Sequence, residues 1–274
     1  MQEPETAKSL RLQERARSAG TLRPARAALA AGLLAVNLGC ASTDRVDLAQ
    51  PPNVGEAKIA ATEYHNSGAY QRDITAVTAA AGAWLSERAA QVERPALILD
   101  IDDTALTNWQ VIVADDFGRV FDGPCDALPN GPCGWVAWDL RAATPAITQT
   151  LALFEDARAL GVTVFFITGR DETQRAATEK NLSAAGFGDY GGLYVEAVGA
   201  HYASAADFKA PQRAKIEAEG FTIVANMGDQ PSDLAGGHAE RTFLLPNPFY
   251  RIPGSRNASA GDQIPAGIWP REEL

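Results

Sequence analysis

Five short and largely apolar runs constrain the fold of this chain more than any other feature of its sequence. Strands whose side chains are buried on both faces of a parallel sheet show such runs. The runs cover residues 96–101, 163–168, 193–196, 222–226 and 242–245. Segments with helical patterns separate them, at about 146–160, 171–185, 210–219 and 231–238. This alternation predicts an α/β fold, a doubly wound parallel sheet of about five strands with helices on both faces.

The segments around the predicted sheet are assigned by their spacing and their breakers. Residues 56–92 are Ala-rich with helical spacing and are interrupted at a Ser-Gly pair, which predicts helices over 56–66 and 70–90. Residues 105–145 are too many for an ordinary crossover, so we expect an insertion near the carboxyl edge of the sheet. The proline-rich residues 246–274 are expected to form an extended tail over the surface.

The first 40 residues have the order of a bacterial secretion signal. A basic segment precedes a short apolar segment at 27–36, and a Leu-Gly-Cys sequence ending in Cys40 follows. That ending resembles a lipoprotein box, in which Cys40 would carry the lipid and become the mature N-terminus. The basic residues are Lys8, Arg11, Arg15, Arg17, Arg23 and Arg26. We therefore expect an exported protein that is periplasmic, anchored to the outer membrane through Cys40, or secreted.

Three regions follow from these assignments. Residues 1–40 are the expected signal peptide, and residues 41–55 are a polar linker with Pro and Gly as breakers. Residues 56–274 are then expected to form one α/β domain. Within it, 56–92 and 105–145 would supply a small cap.

Two cysteines remain besides Cys40, and both lie in the predicted insertion. Cys125 and Cys133 flank a loop rich in Pro, Gly and Asn, which suits a disulfide in an oxidising compartment. Two thiols with no nearby histidine are too few for a zinc site. The alternative is a pair of free thiols.

Composition and charge exclude several classes of protein. Apolar residues make up 46% of the chain and charged residues 21%, which excludes an intrinsically disordered chain. The formal net charge is −10, whereas a protein that binds nucleic-acid polymers by neutralising phosphates would be basic. No run reaches the 18 or so apolar residues of a spanning helix.

Acidic side chains follow the predicted strands at the points where the strands end. Asp100 and Asp102 end the first strand, and Asp229 and Asp233 follow the fourth. In such a sheet the carboxyl ends of the strands meet at the ligand-binding edge. Carboxylates crowded together raise one another's pKa or recruit a cation, and oxygen ligands without His or Cys suit Mg²⁺. Residues i and i+2 of an extended segment point the same way, so Asp100 and Asp102 can act on one reacting atom as nucleophile and general acid.

The same residues resemble the four motifs of the haloacid-dehalogenase (HAD) superfamily, which has a Rossmann-like sheet. The motifs are DIDDT at 100–104, ITGR at 167–170, a lysine that opens a later helix, and GDQPSD at 228–233. Within that superfamily the chain resembles the class B/C acid phosphatases, which include plant vegetative storage proteins and bacterial outer-membrane phosphatase lipoproteins. The resemblance covers about residues 56–250 and includes the stretches at 63–74, 208–221 and 224–234.

The resemblance implies a role for each matching residue. Asp100 would be the nucleophile that forms an aspartyl-phosphate, and Asp102 the general acid and base, whose backbone carbonyl also binds Mg²⁺. Thr168 and Gly169 would hold phosphoryl oxygens. Lys209 would balance the charge of nucleophile and phosphate. The metal ligands implied are Asp100, Asp102, Asp229 and Asp233.

Other polar residues near these motifs have competing interpretations. We expect Asp103 to be a hydrogen-bonded turn residue, and Thr104 either to cap the next turn or to lie near the phosphate. Lys215 is a rival for the motif lysine but lies in mid-helix. Arg170 would pair with Asp171 or Glu172 or bind substrate, and we favour the structural role. The three histidines, His65, His201 and His238, share no ligand spacing and are expected to be non-catalytic. The tryptophans Trp109, Trp135 and Trp138 are expected in the core, unless one is exposed over the cleft and stacks on a leaving group.

The sequence therefore predicts a Mg²⁺-dependent acid phosphatase acting on small phosphate monoesters such as nucleoside monophosphates. Two alternatives share the fold. One is a non-enzymatic storage or binding protein, against which the presence of Asp100 argues. The other is a phosphotransferase that uses the same aspartyl-phosphate, which the motifs do not distinguish from the hydrolase.

Overall fold

The computed structural model describes residues 51–252, and these contain a five-stranded parallel sheet with helices on both faces. The strands are β1 Pro95–Leu99, β2 Thr163–Asp171, β3 Gly192–Glu196, β4 Thr222–Gly228 and β5 Thr242–Leu244. Their order across the sheet is β3-β2-β1-β4-β5, and every neighbouring pair is parallel. The predicted fold class is therefore confirmed. The central position of β1 places its carboxyl end between those of β2 and β4.

Eight α-helices surround the sheet in the described part of the chain. They are α1 Val54–Asn66, α2 Ala69–Arg88, α3 Trp109–Ala114, α4 Trp135–Leu140, α5 Thr148–Ala159, α6 Arg175–Ala184, α7 Ala205–Ala218 and α8 Pro231–Leu234. Short 3₁₀ turns cover Ala89–Gln91 and Glu172–Gln174. Within residues 51–252, no helix has both the length and the apolar character needed to cross a membrane.

The alternation of side chains along β1 builds two cores, one on each face of the sheet. Leu97 and Leu99 belong to the larger core, which also contains buried residues of α2 and α5. Ala96 and Ile98 belong to the smaller core, which contains buried residues of α7. Because helices cover both faces of the sheet, side chains on both sides of each strand are buried. This explains why the strands appear in the sequence as continuous apolar runs.

Several predicted boundaries differ from the structure. The first two helices lie close to the predicted 56–66 and 70–90, although α1 takes in the end of the predicted linker. The helix predicted at 231–238 ends at Leu234, before Gly236 and Gly237, which both have positive φ. The helix predicted at 171–185 begins later, because β2 continues through Asp171.

The start of α7 was also predicted wrongly, at 210 instead of Ala205. A capping box begins the helix: the Ser204 side chain accepts from a backbone N–H of the first turn, and the Asp207 side chain accepts from the Ser204 N–H. Pro211 lies inside the helix, where a proline usually ends or kinks it. Lys209 is thus in the second turn and does not open the helix.

Other predictions fall partly or wholly outside the described residues. The signal peptide and Cys40 lie there, as do linker residues 41–50 and tail residues 253–274. The described part of the tail, 246–252, contains neither helix nor strand.

Candidate active site

The strand ends and the insertion enclose a cavity of about 440 Å³. Asp100 and Asp102 lie at its base, together with Asp229 and Asp233 from the turn after β4. Gly169, Arg170 and Lys209 reach it from β2 and α7. The structure therefore brings the predicted site residues other than Thr168 to one cavity, although they are separated by up to 133 positions in sequence. Thr168 is fully buried next to Gly169.

Lys209 is the cation at the base of the cavity. Its Nζ donates to Asp100 Oδ1 at 2.5 Å and to Asp233 Oδ1 at 2.7 Å, and all three side chains are buried. Burial opposes the charge of the ammonium, but the two carboxylates outweigh it and raise the pKa of Lys209. The rival Lys215 donates instead to Gln212 Oε1 on the same helix. The geometry therefore favours Lys209 as the lysine of the site.

The surroundings of Asp100 favour its neutral form in the absence of a bound cation. Burial, together with the charges of Asp233 and Asp102, raises its pKa to about 7 against the lowering effect of Lys209. Burial likewise raises the pKa of Asp229, as do the charges of neighbouring aspartates. Asp229 Oδ2 accepts from Gln230 Nε2 at 2.7 Å and Asn247 Nδ2 at 2.6 Å.

Three of these carboxylates could hold a metal ion. Asp100, Asp229 and Asp233 each offer an oxygen, and the three oxygens lie within 4.8 Å of one another. All three residues are buried, and the donor set consists only of oxygen, which suits a hard divalent cation. The side chain of Asp102 is outside this group. A cation here would offset the charge that raises the pKa of these groups.

The carboxylate of Asp102 is held by two neighbours. Arg170 donates to it twice, from Nε to Oδ2 at 3.1 Å and from Nη2 to Oδ1 at 2.7 Å. Asn108 Nδ2 donates to Oδ1 at 3.0 Å. Burial would raise the pKa of Asp102, but the charge and hydrogen bonds of Arg170 lower it by more. These neighbours therefore hold the side chain in place at the cavity and favour its ionised form.

The partners of Arg170 were predicted wrongly. It does not pair with Asp171 or Glu172, but with Asp102 and with Asp139 of α4, whose Oδ1 lies 3.0 Å from Nη2. Arg170 is only 3% exposed and Asp139 only 1%. The structural role favoured for Arg170 is therefore consistent with its position, although its partners come from the turn after β1 and from the insertion.

The turn after β1 is built by hydrogen bonds to Asp103. Its φ is +56°, and its carboxylate accepts from the Asn108 backbone N–H at 2.9 Å and from the Tyr250 hydroxyl at 2.8 Å. Asp103 is thus a hydrogen-bonded turn residue. Thr104 Oγ1 lies 3.5 Å from Asp229 Oδ1, so its hydroxyl contacts a carboxylate of the site and caps no helix.

The histidines lie mostly outside the cavity. His65 stacks on Trp109 with ring centroids 3.6 Å apart, and His238 Nδ1 lies 2.6 Å from Glu217 Oε2. His201 lines the cavity but is exposed to solvent. None of the three histidines therefore belongs to the group of side chains that could hold a metal ion at the base of the cavity.

Of the tryptophans in and near the insertion, two are buried. Trp138 Nε1 donates to Asn108 Oδ1 at 2.9 Å, and Trp135 lines the cavity although it is only 3% exposed. A disulfide joins Cys125 to Cys133 in the same insertion. The interpretation of two free thiols is therefore wrong.

Sequence reasoning missed four residues of the site. Arg119 and Asp139 come from the insertion, Asn108 positions Asp102, and Glu196 lines the cavity from the end of β3. Glu196 follows an apolar run and could have been found by the rule that located the other aspartates. The insertion offered no such signal, because its helices have only six residues each.

Comparisons with known proteins agree on one family. The family model described as "HAD superfamily, subfamily IIIB (Acid phosphatase)" matches residues 27–253. Acid phosphatase 1 of Solanum lycopersicum is 34% identical over 197 residues, which are 69% of this chain and 72% of that protein. The Stem 31 kDa glycoprotein of Glycine max is 31% identical over 193 residues, with the same coverage of both chains.

A solved structure supports the fold. The class C acid phosphatase from Bacillus anthracis superposes with a TM-score of 0.58 at 19% identity, covering 72% of this chain and 86% of that one. The chain belongs to subfamily IIIB of the HAD superfamily and is an acid phosphatase, a phosphomonoesterase.

Proposed function

We propose that this acid phosphatase hydrolyses small phosphate monoesters with Mg²⁺ as its cofactor and Asp100 as its nucleophile. One observation carries the proposal. A buried carboxylate at the carboxyl end of the central strand lies 2.5 Å from a buried ammonium, and both line the cavity. Phosphoryl transfer requires mainly an in-line nucleophile and neutralised phosphoryl oxygens. Asp100 and Lys209 are placed to supply both.

The residues that would hold Mg²⁺ are Asp100, Asp229 and Asp233, together with the backbone carbonyl of Asp102. The charge that Mg²⁺ supplies when bound offsets the negative charge of the phosphoryl oxygens and of the aspartates. Lys209 would stay paired with Asp100 and Asp233. Its hydrogen bond to Asp100 would orient the carboxylate of the nucleophile.

Asp100 and Asp102 would share the chemistry in two steps. An Oδ atom of Asp100 attacks the phosphorus, and the bond from phosphorus to the leaving oxygen breaks. Asp102, which must first take up a proton because Arg170 favours its ionised form, gives that proton to the leaving oxygen. In the second step, Asp102 takes a proton from water. The water oxygen attacks the phosphorus and releases inorganic phosphate and the Asp100 carboxylate.

The residues at the carboxyl ends of β1 and β2 would hold the phosphoryl group between them. Gly169 lines the cavity, and its backbone lies at the edge where the phosphoryl oxygens would rest. Thr168 Oγ1 accepts from the Arg170 backbone N–H at 3.2 Å. Thr168 is fully buried and does not line the cavity, so its hydroxyl would reach a phosphoryl oxygen only after a local rearrangement.

The test is release of inorganic phosphate from phenyl phosphate and from a panel of nucleoside monophosphates, with Mg²⁺ and with EDTA. We expect release to require the metal, and Asp100→Asn to lower it by at least about 10³-fold. Asp156→Asn, at an exposed position on α5, is the control and should release phosphate normally. Full activity of Asp100→Asn would overturn the assignment of the nucleophile.

The intermediate can be tested separately. Acid quenching of the reaction with a ³²P-labelled ester should leave label on the peptide that contains Asp100. Adding glycerol as an alternative acceptor measures how the intermediate partitions between water and alcohol. Formation of glycerol phosphate as the main product would identify a phosphotransferase, and absence of labelled peptide would refute the intermediate.

We propose further that the protein is exported and carries a lipid on Cys40. The order of the basic segment, the apolar segment and the Leu-Gly-Cys ending supports this. The test is labelling of expressing cells with a radioactive fatty acid, followed by cell fractionation. Label in the membrane fraction that is lost in Cys40→Ala is expected. Label-free protein in the cytoplasm would refute both export and lipidation.

A further inference from the structure

The wall of the cavity contains an arginine that the chemistry proposed above does not use. Arg119 comes from the insertion and is half-buried. Its Cζ lies 4.6 Å from the centroid of Phe121, 5.0 Å from that of Trp135 and 5.6 Å from that of Tyr250. Three aromatic rings therefore hold its guanidinium at the wall of the cavity.

The guanidinium of Arg119 forms no ion pair with an acidic residue among residues 51–252, although its charge acts to lower the pKa of Asp102 and of Asp139. The other two cations that line the cavity are each shared by two carboxylates: Lys209 by Asp100 and Asp233, and Arg170 by Asp102 and Asp139. Arg119 forms no ion pair and donates no side-chain hydrogen bond to a described residue, and its buried Nε has no acceptor. Guanidinium donors lie in one plane and form a fork that matches carboxylate and phosphate groups.

The position of Arg119 indicates which part of a substrate it would meet. The proposed phosphoryl-binding groups, Asp100, Gly169 and Lys209, belong to the strand ends and to α7. Arg119 belongs to the insertion, which forms a wall of the cavity above those strand ends. A substrate whose phosphoryl group rests against Asp100 would therefore direct its alcohol part toward that wall.

We propose that Arg119 is a specificity-determining residue that selects phosphate monoesters whose alcohol part carries a second anionic group, a carboxylate or a phosphate. The inference rests on the proposed function. The aromatic rings fix the guanidinium in advance, so that little side-chain freedom is lost when an anion binds. The anion would accept hydrogen bonds from the Nη atoms, which are not buried and which a neutral alcohol part leaves without an acceptor.

The test compares kcat/KM for three esters of matched chain length. Propyl phosphate has no second anion, 3-carboxypropyl phosphate has a carboxylate, and 3-phosphonopropyl phosphate has a phosphonate that is not hydrolysed. Arg119→Gln should remove the preference for one or both anionic esters, by roughly 10- to 100-fold, as expected for a charge-assisted hydrogen-bonded pair. The ester that shows the larger loss distinguishes a carboxylate from a phosphate. The loss for propyl phosphate should be much smaller than the loss for the anionic esters, and thermal unfolding of the variant shows that it folds.

Two further variants act as controls. Arg241 is also half-buried and lies over two rings, those of Trp84 and Phe243, but does not line the cavity. Arg241→Gln should leave the preference unchanged. Arg119→Lys keeps the charge but loses the fork, and should retain part of the preference.

Three results would contradict the proposal. One is equal kcat/KM for all three esters in the unaltered protein, and another is an equal loss for all three in Arg119→Gln. The third is an equal change of the preference in Arg241→Gln. If no ester released any phosphate, the proposed function itself would be refuted, and the anion preference with it.

Discussion

The buried arginine of the site gives a prediction that can be worked out from the structure. Arg170 has 2% of its side chain exposed. It donates two hydrogen bonds to Asp102 and one to Thr178 Oγ1 at 3.2 Å, and it forms an ion pair with Asp139. Arg170→Gln removes the charge while it leaves both acids in place. Removing one partner of a buried ion pair costs about 3–5 kcal/mol of unfolding free energy, because the other charge stays buried without compensation.

That cost can be measured by thermal and urea unfolding. For a domain of about 200 residues, 1 kcal/mol shifts Tm by about 2–4 °C, so Arg170→Gln should lower Tm by roughly 6–20 °C. The control is Arg158→Gln, since Arg158 pairs with Asp189 on the surface with side chains 39% and 87% exposed. Exposed pairs contribute about 0–1 kcal/mol, so this variant should unfold almost as the unaltered protein does.

The pH dependence of the difference follows from Asp102. Arg170 holds the pKa of Asp102 below its unfolded value of about 3.9. The pair therefore stabilises the protein above that pH, and the stabilisation is lost as the pH falls through the folded pKa. The difference in Tm between Arg170→Gln and the unaltered protein should become smaller below pH 4. Equal Tm losses for Arg170→Gln and Arg158→Gln, or a difference that grows at low pH, would refute the reasoning.

Three further predictions concern the site and the two regions beside it. Lys209→Met should lower the rate of phosphate release from phenyl phosphate by at least about 100-fold, because it removes the cation that pairs with Asp100, whereas Lys215→Met should not. Replacing Cys125 and Cys133 together by Ala opens a loop with a sequence separation of 8, which should cost about 2–3 kcal/mol in urea unfolding; unchanged stability of the double variant would contradict this. Burial lowers the pKa of His65, so its neutral form favours folding above pH 6.5 and stability falls as the pH drops below that value. His65→Phe should therefore lose less stability than the unaltered protein as the pH drops below about 6.5. An equal loss in both proteins would show that another group is responsible.

The strands and the residues at their ends were predictable because their signal is local. A strand buried on both faces is a continuous apolar run, and the acids that follow it stand at the edge where ligands bind. Asp100, Asp102, Asp229 and Asp233 were all found in this way, and the structure brings them to one cavity.

Contacts between distant segments were not predictable by the same means. Arg170 has acids beside it in sequence, and the local pairing with Asp171 was the natural expectation. The structure instead pairs it with Asp102 and Asp139, which lie 68 and 31 positions away. The start of α7 was misplaced although its signal is local, since the capping box at Ser204 begins the helix at Ala205 and not at 210.

The arrangement of charges in the cavity explains why a divalent cation suits this site. Lys209 and Arg170 are each shared by two carboxylates, so each group of three carries one net negative charge when all of its acids are ionised. Asp229, whose pKa is raised by burial and by its acidic neighbours, adds a third negative charge when it is ionised, and it pairs with no described cation. Arg119 is too far from these acids to form an ion pair with any of them. A dianionic phosphate could not approach such a base unless more positive charge were present, and the oxygens of Asp100, Asp229 and Asp233 are already gathered where a cation would supply it.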